Sequence, residues 1–290
     1  MAVYNLGSIN ADLVYRVPHL PAPGETLAAT AHSQGLGGKG ANMSVALARA
    51  GSEIHHVGAV GADGIWMRDR LADYGVGAQD IAQVDAVSGH AVIAVDDAGE
   101  NAILLFPGAN NEISNESVSK ALSRAKPSDI FLFQNETNAL ADSAMLAKEK
   151  GMRVAHAAAP FDAQAVKELL PLIDILFLNE VEAAQLTDAT DLAPQDLPIG
   201  DVIVTLGAKG ARWFDTRSGT QTDISAVSVV PVDTTGAGDT FTGYVIAGLD
   251  QGMSMPDALA LASKAGALMV TRHGTADVIP TLEEVKAFTP

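Results

Sequence analysis

The 290-residue sequence predicts an α/β fold: a doubly wound, mostly parallel sheet flanked by helices, with a small second β-sheet beside it. Two observations predict this. From about Glu116 onward, short apolar runs alternate with longer helical stretches, the pattern of a parallel sheet covered on both faces. Nearer the start, two pairs of β-type runs break that alternation, so they are expected to leave the core together. At 48% hydrophobic residues the chain is sized for one large domain, residues 1–290, with the second sheet formed by about residues 11–34 and 88–108.

The elements follow in order. Val3 to Ile9 reads as the first strand. Asp12 to Val17 and Thr26 to Ser33 are β runs separated by the proline- and glycine-rich turn His19–Glu25. Ala41 to Ala50 is an alanine- and leucine-rich helix ended by Gly51. Glu53 to Val60 is a strand and Ile65 to Tyr74 a helix. His90 to Asp96 and Asn101 to Phe106 form a hairpin whose turn contains Gly99, suited to positive φ. Strands are then expected at Ile130 to Gln134, Arg153 to Ala157, Ile173 to Leu178 and Asp201 to Thr205. Helices are expected at Val118 to Ala125, Asn138 to Lys150 and Ala163 to Leu170. Val227 to Val232 reads as a strand, and a helix begins at about Thr240.

Composition narrows the function classes. The chain has no cysteine, which excludes disulfides and thiolate metal sites and fits a reducing compartment, so the cytoplasm is the expected location. A net charge of −17 disfavours nucleic acid and anionic membranes as partners. No apolar run is long enough to span a bilayer, and the start does not read as a secretory signal. Any anionic ligand must be held by a few well-placed cations, by metal ions or by backbone N–H groups.

Open parallel sheets bind ligands at the carboxyl ends of their strands. Asn10, Asp12, Asn135, Glu136, Asn179 and Thr205 fall at such ends. The segment DTTGAGDTFTGYVIAGL, Asp233–Leu249, places a turn of small residues before a helix. The bare backbone at Gly236, Ala237 and Gly238 lets N–H groups point at one anion, and the helix N-terminus adds partial positive charge. Asp239 sits inside this anion site. A carboxylate there is unfavourable unless it has a task, such as accepting a proton from an attacking hydroxyl. The structural alternative is that Asp239 is only an N-cap.

A second glycine segment, GLGGKGAN, runs from Gly35 to Asn42. It is not a Walker A loop, because Gly40 follows Lys39. Its G-x-G-x-x-G spacing is a weak dinucleotide signal, and two β runs separate it from the first strand. A polyol site fits better: Lys39 and Asn42 supply donors, Asp12 accepts, and bare glycine backbone allows close approach. The structural alternative is a tight strand-to-helix turn with a solvated lysine. His55 and His56 read as strand positions, and Trp66 and Trp213 as packing residues.

Two separated segments carry a family resemblance. LGGKGANMSVALARAG (Leu36–Gly51) and DTTGAGDTFTGYV (Asp233–Val245) resemble the amino- and carboxyl-terminal signatures of the ribokinase, or phosphofructokinase-B, family of carbohydrate kinases. Between them, LNEVEA (Leu178–Ala183) is similar to the family's N-x-x-E motif and TLGAKG (Thr205–Gly210) to its nucleotide loop. GSINADLVYRVPHLPAPGET (Gly7–Thr26) resembles the start of the ribokinase branch.

The resemblance implies an ATP-dependent sugar kinase with magnesium. The leading acceptor is D-ribose, giving ribose 5-phosphate. Another pentose, a ketohexose or a nucleoside is the alternative, and a non-catalytic sugar or nucleotide sensor is the reading from a different class. It assigns sugar contacts to Asn10, Asp12, Gly38, Lys39, Asn42 and Glu136, with Asp239 as base and Gly236, Ala237 and Gly238 as anion hole. Asn179, Thr205, Gly207, Gly210, Gly238 and Ser263 would meet the nucleotide, and Glu182 magnesium through water. Asn179 followed by Glu182 is also a helix-start pattern. Asp233, Thr235, Arg272 and Gly274 map onto a monovalent-cation site, for potassium. The second sheet would act as a lid and pair with its copy in a homodimer.

Three departures stand out. Thr187 to Asp201 is shorter than the family pattern by about one helix. FPGAN (Phe106–Asn110) alters the lid's edge, with consequences for which sugar fits. Val278 stands where a serine is expected in the cation loop.

Overall fold

The computed structural model describes residues 1–289. Its strands are β1 (Ala2–Leu6), β2 (Asn10–Arg16), β3 (Ala31–Gly37), β4 (Glu53–Val60), β5 (Gly77–Gln83), β6 (Gly89–Val95), β7 (Asn101–Phe106), β8 (Ile130–Gln134), β9 (Arg153–Ala157), β10 (Ile175–Asn179), β11 (Asp201–Thr205), β12 (Ala211–Asp215) and β13 (Thr220–Ile224). The helices are α1 (Lys39–Arg49), α2 (Ile65–Asp73), α3 (Asn115–Leu122), α4 (Leu140–Glu149), α5 (Ala163–Leu169), α6 (Glu180–Thr190), α7 (Ala237–Asp250), α8 (Met255–Met269) and α9 (Leu282–Ala287).

A nine-stranded sheet runs in the order β13-β12-β11-β10-β9-β8-β1-β4-β5. It is parallel from β5 to β11, and β12 and β13 add an antiparallel edge. Alternate side chains feed opposite faces, as the pleat requires. Val3 packs in the core beneath α1, α2, α7, α8 and α9, whereas Tyr4 and Leu6 pack beneath α3 to α6. Both faces are therefore covered, which is the expected doubly wound arrangement.

The second sheet has four strands in the order β3-β2-β6-β7. Each pair at its edges is antiparallel, and β2 and β6 join them in parallel. Its outer strand is apolar yet open: Ile103, Leu104, Leu105 and Phe106 are all exposed, Leu104 at 72%. The hairpin turn between β6 and β7 forms as expected. Asp96 accepts from the amides of Ala98 and Glu100, and Gly99 has φ 86.

Several boundaries differ from expectation. The first strand stops at Leu6 rather than Ile9, because Gly7 turns the chain against α1. The run expected at Thr26 to Ser33 is instead Ala31–Gly37, drawn on by pairing Gly37 with Asn10 and Gly35 with Asp12. Val227 to Val232 forms no strand: Val230 is 83% exposed and the segment has no ladder partner. The final signature helix starts at Ala237, not Thr240. The short stretch after α6 holds only a single turn of 3-10 helix, Pro194–Asp196, before β11. No helix among the described residues is long and apolar enough to cross a membrane.

Candidate active site

Two glycine-assisted helix starts converge beside the carboxyl end of β1. Gly38 caps α1 with φ 93, and a Cβ there would meet Ser8 O at 2.9 Å and Asn10 N at 3.0 Å. Gly40 touches Gly7 backbone to backbone, since a Cβ on it would lie 2.4 Å from Gly7 Cα. Gly236 caps α7 with φ 75. The two helices pack where Gly243 carries no side chain: its Cβ would fall 2.5 Å from Ala46 Cβ. That approach aligns the first turns of α1 and α7.

The result is a direct contact between the two signatures. Asn42 Nδ2 donates to Asp239 Oδ2 at 2.9 Å. Asp239 is buried and lies at the third position of α7, so it is not the N-cap; Gly236 is. Burial pushes the Asp239 carboxyl up to about 6, against the opposing pull of Lys39 and the Asn42 hydrogen bond. Near neutral pH it is thus a carboxylate with real proton affinity. The expected anion hole is only partly open. The Ala237 amide already donates to Thr234 O at 3.2 Å, leaving the amides of Gly236 and Gly238, with that of Asp239, to face a ligand.

Lys39 is the cation of the site. Burial alone would lower its pKa, but Asp239, Glu136 and Glu182 together raise it above the ordinary value. Glu136, at the end of β8, accepts from the Ser8 hydroxyl and from Lys39 N at 3.2 Å through the same oxygen, Oε2. Asp12, on β2, pairs with Gly35 of β3 and leans its carboxylate over Gly37 two residues on, where a Cβ would sit 2.1 Å from Asp12 Oδ2. Burial and the charge of Glu136 push Asp12 up to about 6. Asn10, Asp12, Lys39, Asn42, Glu136 and Asp239 therefore gather where α1, α7 and the end of β8 meet. Asn110 was not anticipated among them. It is buried, accepts from Ile9 N at 2.9 Å and donates to Asn10 Oδ1 at 2.7 Å. The only signal for it was its place at the end of FPGAN.

The residues expected to meet the nucleotide lie at the ends of other strands of the large sheet. Asn179 and Thr205 are register partners at the ends of β10 and β11. Asn179 and Glu182 form a reciprocal capping box at the start of α6: Glu182 N donates to Asn179 Oδ1 at 2.8 Å, and Asn179 N to Glu182 Oε2 at 2.7 Å. The helix-start reading of this pair is thus met. Burial raises the Glu182 pKa, partly offset by the Asn179 amide and by Lys39, so Glu182 also faces the central cation. Gly207 (φ 57) and Gly210 (φ 106) shape the turn after β11; a Cβ on Gly210 would strike Ile224 O. Ser263, on α8, has a buried hydroxyl with no hydrogen-bond partner among the described residues.

At the far side of the α7 turn, Asp233 gathers two loops. It accepts from Thr235 N at 2.9 Å and Gly274 N at 3.2 Å. Burial opposes ionisation, but these amides hold its pKa below the usual value. The Arg272 side chain is turned away, to Val278 O and Glu284, so only its carbonyl is left for a cation. Among the described residues no group of three or more acidic or histidine side chains forms a closed metal cage.

His56 is a satisfied core residue, bonded to Ser44 and Gly7 O and held neutral by burial, with its pKa near 4. Trp213 donates to Asp201, a packing role with one polar tie.

This geometry agrees with comparisons to known proteins. The profile of pfkB family carbohydrate kinases matches residues 3–282. A ribokinase of Haemophilus influenzae is 38% identical, covering 98% of this chain and 96% of its own length. A ribokinase structure from Thermotoga maritima superposes with a TM-score of 0.89 at 30% identity, covering 99% of this chain and 98% of that one. The structure of Arabidopsis thaliana ribokinase complexed with ribose and ATP gives 0.86 at 30% identity, with coverage of 99% and 98%. The chain belongs to the pfkB family of carbohydrate kinases.

Proposed function

We propose that this carbohydrate kinase transfers the γ-phosphoryl group of ATP to a hydroxyl of D-ribose, giving ribose 5-phosphate. The observation that carries the reading is Asp239, a buried base hydrogen-bonded to Asn42 and set in the first turn of α7 beside Lys39. The acceptor hydroxyl lies between Asp239 and the γ-phosphate, and Asp239 takes its proton. The Gly236, Gly238 and Asp239 amides and Lys39 face the charge on the transferring group, so positioning and electrostatics do most of the work. Asn10, Asp12, Gly38, Lys39, Asn42 and Glu136 hold the sugar. Asn179, Thr205, Gly207, Gly210 and Ser263 border the nucleotide.

Glu182 fits a water-mediated magnesium contact. Its Oε2 is committed to Asn179 N, while Oε1 has no partner among the described residues. When bound, magnesium offsets charge on the ATP phosphates. The ionised Asp233, with the Thr235 carbonyl on its own loop and those of Arg272 and Gly274 on the loop it draws in, fits a potassium ion, with Val278 giving that loop an apolar side. We place the protein in the cytoplasm. The four-stranded sheet serves as a lid that excludes water from the sugar, and its open apolar strand β7 pairs with a second copy in a homodimer.

The test is ADP release with magnesium-ATP against ribose, other pentoses, fructose and nucleosides, with and without potassium. Ribose should give the highest kcat/KM. A nucleoside or ketohexose preferred over ribose by tenfold or more would overturn the acceptor assignment, and no turnover with any acceptor would overturn the kinase reading.

A further inference from the structure

We propose that Asn110 sets the hydrogen-bond polarity of the sugar site by locking Asn10 as a donor. The inference rests on the ribose-kinase reading above and deepens it.

The argument is one of donor and acceptor matching. A backbone N–H can only donate, so the Asn110 atom 2.9 Å from Ile9 N must be its carbonyl oxygen. The Asn110 NH2 group then faces Asn10 at 2.7 Å and requires an acceptor there. Asn10 must therefore give Oδ1 to Asn110 and turn its own NH2 the other way, where it meets no acceptor among the described residues. Reversing either amide would bring two donors or two acceptors together. Both side chains are buried, Asn10 at 4% and Asn110 at 1% exposure, so water does not substitute for the pairing. Gly89 is part of the device. A Cβ there would lie 2.1 Å from Asn110 Nδ2 and 2.3 Å from Asn10 Oδ1.

Glu136 has the opposite polarity. Its Oε2 already receives the Ser8 hydroxyl and Lys39 N–H, so Oε1 is its free acceptor. A sugar thus meets a fixed donor at Asn10 and a fixed acceptor at Glu136. The hydroxyl facing Asn10 is read as a hydrogen-bond acceptor. Asn110 is a positioning residue: it touches Asn10 rather than the sugar.

Fluorine in place of a hydroxyl accepts weakly and cannot donate, so it separates the two polarities. The experiment measures kcat/KM for ribose and its 2-deoxy, 3-deoxy, 2-deoxy-2-fluoro and 3-deoxy-3-fluoro analogues. At one position the deoxy sugar should lose roughly tenfold, as for one neutral hydrogen bond, and the fluoro sugar should regain part of it. In Asn110→Asp the carboxylate still accepts from Ile9 N–H but cannot donate. Asn10 then flips, and the fluoro advantage should vanish. A ribose hydroxyl can rotate and donate to the flipped Oδ1, so the ribose KM should rise less than that of the fluoro sugar while the ATP KM holds. Asn10→Asp, with Asn110 intact, should abolish the fluoro advantage in the same way. Thermal melts confirm that the variants fold, and the wild-type comparison stands even if they do not. Equal losses for deoxy and fluoro sugars at both positions in the wild type would overturn the proposal. So would a folded Asn110→Asp that keeps the wild-type pattern. If another acceptor of the panel replaces ribose, the ribose reading fails and that acceptor's own deoxy and fluoro analogues decide the case of Asn110. Absence of any turnover removes both.

Discussion

Asp239→Asn separates the chemistry of the site from its energetics. Asn can keep the bond from Asn42, because its Oδ1 still accepts. What it loses is the ability to take a proton, so kcat should fall by about 10²- to 10⁴-fold. Stability should move the other way. Burial lifts the Asp239 carboxyl from 3.8 to about 6. Because the folded value is raised, the favourable neutral form is fully present below about 4 and is lost as pH rises through about 6. A shift of about two units corresponds to about 3 kcal/mol carried as a penalty at pH 8. Asn carries no such penalty. For 290 residues unfolding together, that gain is worth about 5 °C in Tm. The assay is a pair of thermal melts at pH 4 and pH 8 beside ADP-release kinetics. The variant should melt higher than wild type at pH 8 and level with it at pH 4. Wild-type kcat/KM should fall on the acid side with an apparent pKa near 6. A kcat within fivefold of wild type, or a Tm gain equal at both pH values, would refute the reasoning.

Two further outcomes follow from packing and exposure. Gly243→Ala puts a methyl 2.5 Å from Ala46 Cβ, so it should cost about 1–3 kcal/mol and lower kcat by shifting Asn42 and Lys39 relative to Asp239; melts and rates measured together check it. Leu104→Glu, on the open strand β7 where Leu104 is 72% exposed, should convert a dimer to a monomer in light scattering and raise the ribose KM. A dimer unchanged by this charge would show that β7 is not the contact.

Much of the fold was legible because it depends on alternation. The strands Ile130–Gln134, Arg153–Ala157 and Asp201–Thr205 and the hairpin strand Asn101–Phe106 lie where apolar runs and turn residues mark them. The edge of the sheet was not. β12 and β13 carry Arg212, Asp215 and Asp223 among their apolar residues, because an antiparallel edge is only half covered. Val227 to Val232 misled for the converse reason. Valines favour strands by packing on neighbours, and here there is no neighbour. The start of α7 was misplaced by three residues because glycine and alanine fit both a turn and a first helical turn. In the candidate site, the residues singled out for a chemical task, Asp239, Lys39 and Glu136, do lie together. The site was not legible where a residue acts through another. Asn110 is one asparagine in a short turn, 100 residues from the partner it orients, and only the fold brings them together.

The bare glycines at Gly7, Gly37, Gly40 and Gly243 have a bearing on how this chain tolerates mutation. None carries a group that reacts, yet at each one a methyl would collide with backbone, with Asp12 or with Ala46. A saturation screen scored on activity would rank them alongside Asp239, so intolerance alone would not mark the chemistry. A search for variants that accept new sugars has more room elsewhere. The exposed side chains of β7 and the Phe106–Pro107 turn are not wedged against neighbours in this way.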